Sequence, residues 1–364
     1  MLMRLRTIVA LILLAPAVSF GWGFDGHRRL AAYTHEVLPE GSCLRAWLET
    51  VTHQFSWTDQ SCDPDRWRSS DPDEWPRHYL DIDYADPYWT YPRDWAAIQA
   101  QFKQYADDNG RVPFRVEEVY RELVARMKAK DSSAALVTVA HLSHYVTDAF
   151  SPMHDTKEQP GDLHIRYESD MLAVEAHINE ITDRMRAYYG APGKVDPKNH
   201  TFDAVIAGNP VGRKIVSDDQ NNGGSASALF ENTKDLTARR WGDAETMMAS
   251  LIGTAWLEAG KPMLQGMPAG CDATVPDGEP VLKGFPLPPP TWKQDGGTPG
   301  AGDAGSTGDA GGAVADGGMS LNDAGTGGEV DLAPSCGGCG GVPAAALFPV
   351  LLGAMVLPRR RRHG

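Results

Sequence analysis

The chain has 364 residues, 42% of them hydrophobic, with five cysteines and a formal net charge of −14. That charge leaves no basic face for holding duplex nucleic acid by phosphate neutralisation, although a small catalytic site could still act on a single strand. The length is enough for one domain with a substantial core.

Residues 1–21 read as a secretory signal peptide: MLMRLR supplies positive charge, TIVALILLAPAV the apolar run, and Ser19 and Gly21 the small residues before a cut. Cleavage there makes Trp22 the mature N-terminus. From Trp22, Leu30, Tyr33, Val37 and Leu38 form a helical stripe that stops at Pro39, and 43–55 suggest a second helix. An irregular acidic segment rich in Trp and Pro follows, CDPDRWRSSDPDEWPRHYLDIDYADPYW. A long loop of this aromatic content inside a domain points to function rather than disorder.

Helical patterns resume at 93–109 and 114–130, and Asp131 is placed to cap the next helix. Residues 133–150 are apolar on nearly every side, which marks a helix buried in a core. Further helices are expected at 163–189, 200–217 and 226–264, with a loop at 218–225. Strand patterning is nearly absent, so the expected fold is all-α, a compact multi-helix domain over 22–270. Residues 271–335, rich in Gly, Ala, Asp and Pro, read as a disordered tether, and 336–364 as a C-terminal sorting or anchor segment. Cysteines in an exported chain favour disulfides; Cys43 and Cys62 are the expected pair, leaving Cys271 over, with free buried thiols as the alternative.

The chemistry concentrates in His141–Glu168. His144 and Asp148 are four apart, His154 follows six later, and His164 and Glu168 are again four apart. On helices, each i,i+4 pair projects from one face at a spacing that lets two ligands share a metal. Buried imidazoles and carboxylates need partners or a cation, and five ligand-type side chains so spaced read as a multinuclear metal site. HExxH, the zinc-protease signature, is absent.

Taken in order, these residues resemble the zinc-dependent phospholipase C family and its relatives, the zinc-dependent single-strand-specific nucleases. Trp22 and His27, then HYLD around His78, His-x-x-x-Asp at His144 and Asp148 with Pro152-Met153-His154, and His-x-x-x-Glu at His164 and Glu168 carry the resemblance. It implies three zinc ions. Asp65, His78, His144 and Asp148 would hold the first; His154, His164 and Glu168 the second; Trp22, through its free amino group and carbonyl, with His27 and a bridging Asp148, the third. Asp65 in PDRWR is preferred to Asp63 as the loop ligand because its Asp-x-x-Arg context matches the family, and Asp71 ranks third.

The implied reaction is phosphodiester hydrolysis by zinc-activated water, with Asp65 also orienting or deprotonating that water. The His-x-x-x-Glu ending favours a phospholipase C acting on phospholipid at a membrane surface. A nuclease acting on single-stranded nucleic acid is the alternative, and a non-catalytic zinc-stabilised surface protein a further one. Asp25 is a candidate for the lipid head group, and Tyr79 and Asp81 for either substrate. His141, one turn before His144, is read as a hydrogen-bonded core residue ahead of a ligand-orienting one. The C-terminus, with CGGC, a short apolar stretch and Arg359–Arg362, resembles a MYXO-CTERM type sorting tag. That implies an exported protein, secreted or held at the cell surface.

Overall fold

A computed structural model describes residues 22–222, 224–271 and 278–285. The expected signal peptide, nearly all of the tether and the sorting segment lie outside the described residues. Among those described the protein is all-α, with only two isolated bridges, Leu80 to Gly110 and Ala191 to Val281.

Apart from single turns of three or four residues, the α-helices are α1 (Gly23–Tyr33), α2 (Cys43–Glu49), α3 (Asp63–Trp67), α4 (Trp95–Phe102), α5 (Val112–Lys128), α6 (Ser132–Ala149), α7 (Glu175–Met185), α8 (Pro197–Asn222) and α9 (Ala226–Glu258). The centre belongs to α6 and α9. Asp131 caps α6 by accepting a hydrogen bond from the Ala134 amide at 3.1 Å. Every α6 residue from Leu142 to Ala149 is buried, as the absence of a polar face implies. In α9 every residue from Arg240 to Trp256 is buried. Around this pair, α1, α5 and α8 pack on α6, and α7 packs on α9.

Three expectations are corrected. The helical pattern over 163–189 is broken: one α-turn at Leu163–Ile165 passes into a π-turn at Arg166–Asp170, and α7 begins only at Glu175. The wider turn lets Tyr167 and Glu168 both point inward, and such π-bulges recur at functional sites. Cys43 pairs with Cys271, Cα to Cα 5.2 Å, not with Cys62. Cys62 is a free, buried thiol 3.5 Å from the Phe24 carbonyl oxygen of α1. The domain also runs past residue 270: the Gly284 and Phe285 amides donate to the buried Asp243 carboxylate at 2.9 and 2.6 Å, and Leu282 is buried.

The acidic, aromatic segment folds as short turns. α3 is followed by 3-10 turns at Pro72–Arg77, Ile82–Tyr84 and Tyr88–Thr90. Main-chain bonds fix it over the end of α6: the Leu80 amide donates to the His154 carbonyl at 2.9 Å, and the Asp81 amide to the Asn109 carbonyl at 2.8 Å.

Candidate metal centre

The C-terminal turns of α6 present His144 and Asp148 side by side, with His144 Nε2 3.1 Å from Asp148 Oδ2. The 3-10 turn ending at Arg77 delivers His78, whose Nδ1 lies 2.9 Å from both His144 Nε2 and Asp148 Oδ2. From α3, Asp65 Oδ1 approaches these two imidazoles at 3.7 and 3.8 Å. His27 of α1 stacks on His144 with ring centroids 3.9 Å apart and aims Nε2 at Asp148 Oδ1, 3.5 Å away. Asp148 therefore faces two groups of ligand-type atoms with its two oxygens. A third group lies alongside: His154 Nε2 and His164 Nε2 are 3.1 Å apart, and Glu168 Oε2 is 3.4 and 2.5 Å from them.

Hydrogen bonds on the outer ring atoms determine which nitrogens face inward with lone pairs. His144 Nδ1 donates to the Ser61 carbonyl at 2.7 Å, and His154 Nδ1 to the His78 carbonyl at 2.6 Å. His164 Nδ1 donates to Gln159 Oε1 at 2.7 Å. Thr147 gives its hydroxyl proton to the His144 carbonyl, so its oxygen accepts from His27 Nδ1 at 3.0 Å. With Nδ1 committed outward in this way, the inner nitrogen of each ring is the one that carries a lone pair once the ring is neutral, the arrangement that outer hydrogen bonds produce around metals. Buried His27 Nε2, Asp65 Oδ2, Asp148 Oδ1 and Glu168 Oε2 have no hydrogen-bond partner. Converging acceptors require a cation or a proton between them. The residues fit divalent metal: His27 with Asp65 and His144, His78 with His144 and Asp148, and His154 with His164 and Glu168 each offer ligand atoms close enough to share one ion. Nitrogen and oxygen donors without thiolate suit zinc among other metals.

Electrostatics agree with proton and metal competing for the same space. Burial would lower the His154 pKa, but the Glu168 and Asp148 carboxylates push it up to about 10. Burial alone would raise Glu168, and His164 and His154 hold it at about 2. Asp148, likewise opposed by burial, is held well below the carboxylate range by His144 and His154. His27 moves the other way, lowered by burial and by His144. At pH 7 the metal-free protein accordingly keeps a proton on His154 that a metal must displace. Loading with zinc should release about one proton from this group, checked by calorimetry in buffers of different ionisation enthalpy. Without metal, the His154 contribution to stability is complete below pH 6.5 and lost as pH rises through about 10, whereas that of Glu168 is present above 4.5 and lost as pH falls through about 2.

Among the remaining sequence candidates, Trp22 is fully buried beside the centre, its indole donating to the Thr147 carbonyl at 2.8 Å. Ligation by its amine requires a chain that starts there. Asp63 pairs with Arg66 at 2.8 Å and meets His141 at 3.5 Å, away from the centre, so Asp65 is the aspartate brought to the histidines. His141 packs edge-on against Trp67 and stays outside the ligand groups. A cavity of about 290 Å³ opens over the centre, lined by Arg68, Trp75, Tyr79, Asp81, Lys157 and the three imidazoles of His78, His154 and His164, among others. Tyr79 and Asp81 thus flank the candidate metals. Asp25 does not: it is exposed on α1, pairs with Arg28 at 3.2 Å and lines a separate depression.

Several supporting groups escape a reading of ligand residues alone. Glu74 is buried against His78 Nε2 at 3.6 Å, accepts from Tyr145 and from Arg77, and is held at about 2 by these bonds against the effect of burial. Its i,i+4 spacing to His78 was the available signal. Ser151 donates to Glu168 Oε1, and Arg68 to Asp65 Oδ1. Glu74→Gln should weaken metal affinity by about 10- to 100-fold with the fold retained, measured by competition with a chromogenic chelator.

No family model and no curated protein matches this chain.

Proposed function

We propose that the protein is an exported, zinc-dependent phosphodiester hydrolase of the phospholipase C type, cleaving phospholipid head groups. The observation that carries the reading is the set of buried, partnerless acceptors converging beneath a cavity that also holds two cations, Arg68 and Lys157. A site that merely clamps helices together is closed and four-coordinate; this one opens on a cavity. The Cys43–Cys271 disulfide suits the oxidising compartment that residues 1–21 imply.

When bound, zinc would supply Lewis acidity and make hydroxide accessible near neutral pH. The chain's own contribution is placement and charge. Asp148 and the imidazoles would hold the metals, and Asp65, with Oδ2 free of other hydrogen bonds, would orient or deprotonate water. Arg68 and Lys157 offset negative charge on the phosphoryl oxygens. Trp75 and Tyr79 give the departing group an apolar, aromatic wall.

A second reading, hydrolysis of single-stranded nucleic acid, is favoured by one feature. Tyr79 stands next to Asp81, whose carboxyl is pushed up to about 7 by burial and by Asp83. Ring and carboxyl share the cavity wall, where one can stack on a base and the other can hydrogen-bond to its edge. The deciding experiment compares purified mature protein on phosphatidylcholine, single-stranded DNA or RNA, and bis(p-nitrophenyl) phosphate, each with and without chelator. Chelator-sensitive release of phosphocholine is the expected result. Turnover of nucleic acid alone would select the second reading, and no chelator-sensitive turnover would leave a metal-stabilised binding protein.

A further inference from the structure

The acidic, aromatic segment does more than deliver His78. Trp75, Tyr84, Trp89 and Tyr105 are all exposed, and the first three come from the stretch that walls the cavity. Three of them connect to its mouth through physical contacts. Trp75 lines the cavity and lies under the Arg68 guanidinium, 4.5 Å from ring centroid to Cζ. Tyr84 follows the wall residue Asp81 by one turn and carries Lys157, itself a lining residue, 4.8 Å above its ring. Trp89 packs edge-on against Tyr88 at 5.1 Å, and Tyr88 meets Arg213 at 5.9 Å. Arg213 reaches Asp83 Oδ2 at 3.6 Å, and Asp83 Oδ1 accepts from the Lys157 amide at 3.0 Å.

Single exposed aromatic residues are ordinary on protein surfaces. Tryptophan and tyrosine alternating with Lys and Arg around a cavity mouth are not, because rings with polar tips and long basic chains partition together into the head-group region of a bilayer. Charge distinguishes the kinds of partner. Asp73, Asp107 and Asp108, against the single cation Arg111, line the adjoining depression that shares Trp75 and Tyr79 with the cavity, and the whole chain carries −14. A polyanionic strand or a strongly anionic membrane would be repelled there, whereas a zwitterionic interface presents both signs at low net charge.

We propose that Tyr84, Trp89 and the exposed edge of Trp75, with Lys157 and Arg213, form a docking surface for a zwitterionic phospholipid interface and bring the cavity mouth onto it. This rests on the phospholipid reading above. The test uses the full zinc-loaded chain and the variant Trp89→Ser, a residue outside the metal centre and the cavity lining whose ring contact is to Tyr88. Two quantities are read: co-sedimentation with phosphatidylcholine vesicles, and turnover of soluble bis(p-nitrophenyl) phosphate. The expected result is vesicle binding weakened about tenfold or more in the variant, little affected by salt, with soluble turnover unchanged. Equal vesicle binding by both proteins would overturn the proposal. So would wild-type preference for a single-stranded oligonucleotide that the variant loses, or a change from dimer to monomer in the variant. Failure of the wild type to hydrolyse any phosphodiester would sink the catalytic reading, while the sedimentation arm would still decide the docking surface.

Discussion

Replacing Asp148 with Asn should remove more than one metal ion per chain and lower turnover by on the order of 10³-fold. Its two oxygens face different neighbours: Oδ2 lies within hydrogen-bonding distance of His78 and His144, and Oδ1 is directed at His27. An amide keeps the shape but removes the negative charge and makes one of the two atoms a donor, so at least one group of inward-facing nitrogens meets N–H instead of a lone pair. Mass-spectrometric metal analysis of protein purified under identical conditions reads the outcome directly. His141→Ala is the matching control, because His141 sits against Trp67 and Asp63 outside the centre and should leave metal content nearly unchanged. The reverse ranking would show that the wrong face of α6 has been assigned to the metals.

The contrast between Asp148 and His141 also shows what the sequence made legible. His144 and Asp148 stood out because an apolar helix has no cheap way to bury them, and the all-α class followed from helical periodicity without strand alternation. Asp65 and Asp63 each have an Arg three residues on, and each contacts it, so it is the approach of Asp65 to the histidines that separates them. Other features depend on tertiary approach. Nothing in the spacing of Cys43, Cys62 and Cys271 says which two meet, because the answer depends on where α9 returns the chain. Asp25 shares a helix with His27, yet it lies two residues earlier and faces solvent on a different side. The inward turn of Glu168 needs a π-turn that periodicity does not announce, and the hydrogen bonds that set the histidine tautomers come largely from main-chain carbonyls, which have no residue signature at all.

The disulfide has the largest consequence for stability. Cys43 begins α2 and Cys271 follows the last long helix, at a sequence separation of 228. Closing a loop of that length removes far more freedom from the unfolded chain than from the folded one, and on the loop-entropy argument the link contributes about 5.5 kcal/mol. For a domain of this size, that corresponds to a fall in Tm of about 10 °C when both cysteines are changed to serine, or when the metal-loaded protein is reduced. Cys62→Ser should shift Tm far less, since that thiol is unpaired and its packing against the Phe24 carbonyl tolerates a hydroxyl. Calorimetry gives the ranking, and non-reducing peptide mapping should recover a fragment joining the Cys43 and Cys271 peptides. Recovery of a Cys43–Cys62 fragment in the native protein would contradict the pairing. A double variant as stable as the wild type would mean that the helical core and its metals already hold the two ends of the domain together.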